Sequence, residues 1–137
     1  MTRMPDMDVD LVQIGVMAER VGLSLRTVRY YEEMGLVEPT TRTAGGFRLY
    51  GPEQEERLRV LKTMKPLGFT LEEMRDLVQL LDDATRARPG SRRALAIRER
   101  IDGLRQEIEL RRANLLDQVE ATTQISSALD AAARHLA

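Results

Sequence analysis

No cysteine occurs in this sequence, which removes disulfides, thiolate nucleophiles and thiolate metal ligands together and fits a reducing, cytoplasmic setting. Histidine is nearly absent too, and His135 alone cannot build an imidazole metal cluster. Aromatic residues make up only 4% of the chain against 31% charged residues. That balance disfavours a large sheet core and suits helices with wet faces and narrow apolar seams. No apolar run approaches the roughly 18 residues of a membrane-spanning helix. The first ten residues carry acids where a signal peptide would carry its apolar stretch. A soluble, unprocessed, mainly α chain with no membrane partner is expected. Nucleophile–base pairs, phosphate-cradling glycine loops and metal clusters are likewise missing, so neither an enzyme nor a cofactor is expected.

With 137 residues and 42% hydrophobic content, the chain is long enough for one compact domain plus an extension. Its 21 basic and 22 acidic residues nearly cancel, which taken alone disfavours a nucleic-acid partner. The distribution says more. Arg26, Arg29, Arg42 and Arg48 fall in one short stretch, and its acids, Glu32, Glu33 and Glu38, are segregated to the middle.

Residues 1–10 read as a disordered leader, with Pro5 and no apolar period. Val12 and Ile14 alternate as in a very short strand, and Met17, Ala18 and Val21 then recur at helical spacing up to Gly22. Ser24 serves as an N-cap for a second helix through Met34, with Leu25, Val28, Tyr31 and Met34 on its apolar stripe. Helix, tight turn and helix together make a helix-turn-helix. Between Val37 and Tyr50, strands around 41–43 and 47–50 flank Gly45-Gly46, which predicts a hairpin or wing. Pro52 opens a third helix carrying Leu58, Val60, Leu61 and Met64. A fourth starts at Thr70 with Glu73 at the capping-box position and turns Met74, Leu77, Val78 and Leu81 inward. The domain so outlined covers 11–81.

Residues 82–91 contain Pro89-Gly90 and no periodicity, so a linker is expected there. Beyond it, Ile97, Ile101, Leu104, Ile108 and Leu115 fall on one heptad frame, which predicts a coiled-coil dimerisation helix over 92–121. Arg111, Gln118 and Thr122 interrupt the seam. They either restrict its register or mark where a short amphipathic helix, 122–137, begins. The methionines at 17, 34, 64 and 74 lie on predicted core faces and read as packing residues rather than as a soft-metal site.

With Leu25, Val28 and Tyr31 turned inward, helical spacing leaves Arg26, Thr27, Arg29 and Tyr30 on the outer face of the second helix. Arginine can fork onto a guanine edge or clamp a phosphate, threonine can meet a thymine methyl, and a tyrosine hydroxyl can reach a backbone oxygen. Arg42 and Arg48 flank the glycine tip of the wing, where the backbone can come close to a duplex. Any one of these residues taken singly is ordinary solvated surface; the combination forms a DNA-reading face.

Four segments, Ile14-Gly15-Val16-Met17-Ala18, Thr27-Val28-Arg29-Tyr30-Tyr31-Glu32, Gly35-Leu36-Val37 and Arg48-Leu49-Tyr50, closely resemble the MerR family of transcription regulators over about residues 12–81. The resemblance implies a homodimer joined by an antiparallel coiled coil, each half reading one arm of an inverted repeat. It also implies bending or untwisting of promoter DNA and RNA polymerase as a further partner. A helix over 92–121 would span roughly 40 to 45 Å, comparable with the roughly 34 Å between successive major-groove half-sites. Members that sense metals or redox state hold their effector through cysteines, and a chain without cysteine cannot. The tail at 122–137 is expected to pack against the dimer rather than form an effector pocket. An alternative from another class is a coiled-coil adaptor without specific DNA binding, which the neutral total charge favours.

Overall fold

The computed structural model describes residues 11–137; the expected leader lies outside the described residues. The chain divides into two compact units, one ending at Leu81 and one beginning at Asp82. The first holds β1 (Val12–Gln13), α1 (Ile14–Val21), α2 (Leu25–Glu33), β2 (Thr41–Arg42), β3 (Arg48–Tyr50) and α3 (Pro52–Met64), together with most of α4 (Leu71–Arg86). The second holds the end of α4 and α5 (Arg92–Leu136). The architecture is mainly helical, with one small antiparallel sheet ordered β1-β3-β2.

Short local signals set the first unit. Gly22 adopts φ +74, the left-handed conformation that glycine takes without a Cβ penalty, and stops α1. Ser24 then caps α2 by accepting a hydrogen bond from the Thr27 amide at 3.0 Å. Pro52 occupies the first turn of α3, and the Gln54 side chain accepts the Gly51 N–H at 2.8 Å. At the start of α4, Thr70 and Glu73 form the expected reciprocal box, with bonds of 2.9 and 3.1 Å.

These elements enclose one core. Met17, Ala18 and Val21 of α1 and Val28 and Tyr31 of α2 pack in one cluster with Leu36, Val37 and Tyr50. Leu58, Leu61 and Met64 of α3, Phe69, and Met74 and Val78 of α4 complete it. Three expected core positions are corrected. Leu25, in the first turn of α2, overhangs the end of the cluster and is 38% exposed, and Val60 of α3 is also exposed. Near the end of α4 the buried residue is Leu80 and the exposed one Leu81; Leu80 stands two positions, about 200°, round the helix from Val78 and lies outside the core cluster.

In the second unit, helix replaces the first half of the expected linker, residues 82–86. No proline intervenes before Pro89, and the Asp82–Arg86 run carries Ala and Arg, both good helix formers, so α4 continues to Arg86. Asp83 is ion-paired with Arg93 at 3.4 Å and lies 3.9 Å from Arg100. Ser91 caps α5 by accepting the Ala94 amide at 3.1 Å. The expected break near residue 122 is also corrected: α5 is continuous for 45 residues. Thr122 and Thr123 donate their hydroxyls back to the Val119 carbonyl at 2.6 and 3.4 Å, absorbing both polar groups within the helix.

Candidate nucleic-acid interface

The interface starts from the two faces of α2. Val28 and Tyr31 are sunk in the core, and the helical period then puts Arg26, Arg29 and Tyr30 in solvent, with Tyr30 45% exposed. Thr27 is half-buried, and its hydroxyl accepts a 2.8 Å bond from the Ser24 hydroxyl. It therefore helps to fix the helix start. Burial, followed by the neighbouring Tyr30, pushes the Tyr31 hydroxyl above the usual tyrosine range, as befits a core residue.

Contacts from other elements hold α1 and α2 in place, among them the following three. Lys62 of α3 donates to the Val21 carbonyl at 3.0 Å, at the C-terminal end of α1. Arg75 of α4 donates to the Met34 carbonyl at 3.3 Å, just past α2. A cation at a helix C-terminus meets both the open carbonyls and the negative end of the macrodipole. The third contact joins α2 to the wing. Glu32 accepts the Tyr50 hydroxyl at 2.7 Å through Oε2, and its Oε1 lies 2.8 Å from Arg48 Nε. Burial, reinforced by this bond to Glu32, raises the Tyr50 pKa well above the usual tyrosine value.

The wing is a hairpin in which Thr41 faces Leu49 and Arg42 faces Arg48. Its tip closes through Gly46, at φ +86, whose amide donates to the Thr43 carbonyl at 2.9 Å. Arg42 is exposed. Arg48 is 40% exposed at its side chain, yet its Nε is buried and its N–H does not point at Glu32 Oε1. The contact is an ion pair rather than an aligned hydrogen bond.

Arg26, Thr27 and Tyr30 line one groove of about 590 Å³ with Lys62 and Lys65 at the end of α3 and Phe69, Leu71 and Met74 below. Arg29 is not among its lining residues, and the two wing arginines stand on the sheet. Sequence patterning indicates neither the lysines nor Glu32. Lys62 lies in, and Lys65 directly after, a helix whose sequence signal is only its apolar period. By sequence Glu32 is one acid beside another, Glu33, although it directly follows the buried Tyr31.

A family model described as MerR HTH family regulatory protein matches residues 12–81, and one described as MerR, DNA binding matches residues 55–118. Among curated relatives, the chain is 40% identical over 70 residues to the mercuric resistance operon regulatory protein of Bacillus cereus, covering 51% of this chain and 53% of that protein. It is 42% identical over 76 residues to the HTH-type transcriptional regulator HmrR of Rhizobium leguminosarum bv. viciae, covering 56% and 58%. The chain thus spans about half the length of the curated relatives it matches. Among solved structures, its fold is similar to that of HiNmlR, a MerR family regulator lacking the sensor domain and bound to promoter DNA. The TM-score is 0.58 at 18% identity, over 80% of this chain and 79% of that one. A MerR family regulator from Bacillus thuringiensis gives a TM-score of 0.58 at 21% identity, over 88% and 94%. Since the first family model covers just over half of the 137 residues and falls on the helix-turn-helix, wing and helix pair, the chain belongs to the MerR family of helix-turn-helix regulatory proteins.

Proposed function

We propose that the protein is a cytoplasmic, sequence-specific DNA-binding transcription regulator that acts as a homodimer on an inverted repeat. The observation that carries this reading is the outward face of α2, where Arg26, Arg29 and Tyr30 stand exposed on a helix otherwise anchored by buried Val28 and Tyr31. In this reading α2 enters the major groove, with Arg26 and Arg29 reaching base edges or phosphates, Thr27 offering its methyl group and Tyr30 its hydroxyl. Arg42 and Arg48 grip the flanking backbone, and Lys65 extends the phosphate track along the groove that it shares with Arg26.

The dimer forms through α5, antiparallel, along Ile97, Ile101, Leu104, Ile108 and Leu115. What supports this is that Ile108 and Leu115 are exposed in the single chain while lying on the heptad frame of buried Ile97. Paired heads about one helical turn apart would bend or untwist a promoter between them, with RNA polymerase as the beneficiary. The relatives named for mercury or heavy metals do not lend their effector to this chain, because its 137 residues contain no thiolate.

Selection of duplexes from a random pool by the full chain tests the reading. A palindromic consensus is expected, with affinity falling about a thousandfold or more between roughly 50 and 200 mM salt. Binding that is absent, or indifferent to salt, would leave the coiled-coil adaptor as the better account.

A further inference from the structure

We propose that Glu32 is a positioning residue for DNA reading: it ties the wing to the end of the recognition helix and aims Arg48 at a backbone phosphate. The inference rests on the DNA-reading function proposed above.

The two oxygens of Glu32 are used separately, one by Tyr50 and one by Arg48. Both partners lie on β3 two residues apart, so they share one face of the strand. Tyr50 is fully buried, which roots the tie in the core, and the Glu32 side chain is only 13% exposed. A carboxylate covered to this extent calls for partners at both oxygens, and it has a hydroxyl donor at one and a cation at the other. The register adds a second reason. Arg42 and Arg48 are directly opposed across the hairpin, and like charges in that relation repel. Glu32, set against one of the two, offsets that repulsion in the free protein. A phosphate would do the same in a complex.

The contact geometry suits a hand-over. Arg48 meets Glu32 through Nε, without an aligned hydrogen bond, rather than through a two-pronged fork. Its outer nitrogens remain for a phosphate while the carboxylate restrains the guanidinium from behind. Removing the charge at Glu32 therefore has two effects of opposite sign. Arg48 becomes a freer cation, which strengthens attraction to any duplex, and it loses its aim, which weakens preference for the right one.

The test uses the full chain, the duplex it selects from a random pool, and a scrambled duplex of equal length. Glu32→Gln keeps a carbonyl oxygen for the Tyr50 hydroxyl and loses only the ion pair. It is expected to lower the preference for the selected duplex about tenfold and to steepen the salt slope on the scrambled duplex by about one. In an Arg48→Gln background the same change should add nothing. A parallel loss on both duplexes, an unchanged preference, or additive effects would overturn the proposal, since a merely structural role does not steepen a salt slope. Tyr50→Phe cuts the tie at its buried end, leaves the ion pair, and serves if the first variant does not fold. Here preference should fall severalfold at constant slope, and wild-type preference would overturn the tie. If the wild-type chain binds neither duplex, the DNA-reading function fails, and amide exchange still decides on Glu32. Exchange about tenfold faster across residues 41–50 in Glu32→Gln supports the tie, and unchanged exchange refutes it.

Discussion

Residues 11–81 gather fourteen buried side chains into one cluster, whereas α5, with 45 residues, buries only Ile97. Both regions are helical and both carry apolar residues at regular spacing, but only the first closes on itself. Its stripes come from short helices that change direction every ten residues or so, and each stripe finds another across a turn. The stripe of α5 runs straight, and its leucines and isoleucines past Leu104 remain in water. Helical periodicity in a sequence therefore records that a face will be covered, without recording by what; the turns decide that.

The largest expected effect would break this contrast at α5. Leu104→Glu combined with Ile108→Glu should leave a monomer by sedimentation, and affinity for a two-armed duplex should fall by about 10² or more as bivalency is lost. The circular dichroism of the Tyr31 and Tyr50 environment should persist, because the cluster that buries both tyrosines is built from residues 17–78. In the other region, Leu61→Ala removes a fully buried side chain and should cost about 2–5 kcal/mol in denaturant unfolding, at any protein concentration.

Smaller changes sharpen the comparison. Tyr50→Phe should cost about 1 kcal/mol near neutral pH through the lost bond to Glu32. The sign with pH follows from the raised pKa: stability from this hydroxyl is fully present below the unfolded value near 10 and is lost as pH climbs toward the higher folded value. Above pH 10 the wild type should therefore lose its advantage over the phenylalanine variant in thermal melts. Ser24→Ala, which removes the α2 cap, should cost about 1 kcal/mol. Least of all, Leu129→Ala should move the stability of the chain by no more than about 0.5 kcal/mol, because this leucine is 65% exposed. A larger, concentration-dependent loss there would extend the dimer seam toward the end of α5.

Most of the first unit is legible in the sequence because its signals are local. Gly22, Ser24, Pro52 and the Thr70–Glu73 pair each act within four residues, and each does in the structure what its chemistry suggests. What escaped was either aperiodic or distant. The end of α4 carries no apolar rhythm, so the helix past Leu81 leaves no trace in a hydrophobic pattern. The threonines at 122 and 123 look like a break until their hydroxyls are seen bonded to Val119. Leu80 and Leu81 are adjacent leucines, and the stripe through Met74 and Val78 extrapolates to the wrong one. In the candidate interface, the exposed face of α2 follows from spacing alone. The pairing of Glu32 with residues 16 and 18 positions later depends on how the hairpin folds back, which spacing does not encode.

Lys62 and Arg75, each seated at the C-terminal end of one of the first two helices, bear on the entropy of recognition. Side chains from the helix pair hold the backbone ends of α1 and α2, so conformational freedom of α2 is surrendered when the protein folds. Little is left to surrender when it meets a partner. For the DNA-reading role proposed above, a preorganised surface of this kind would keep more of its contact energy as affinity.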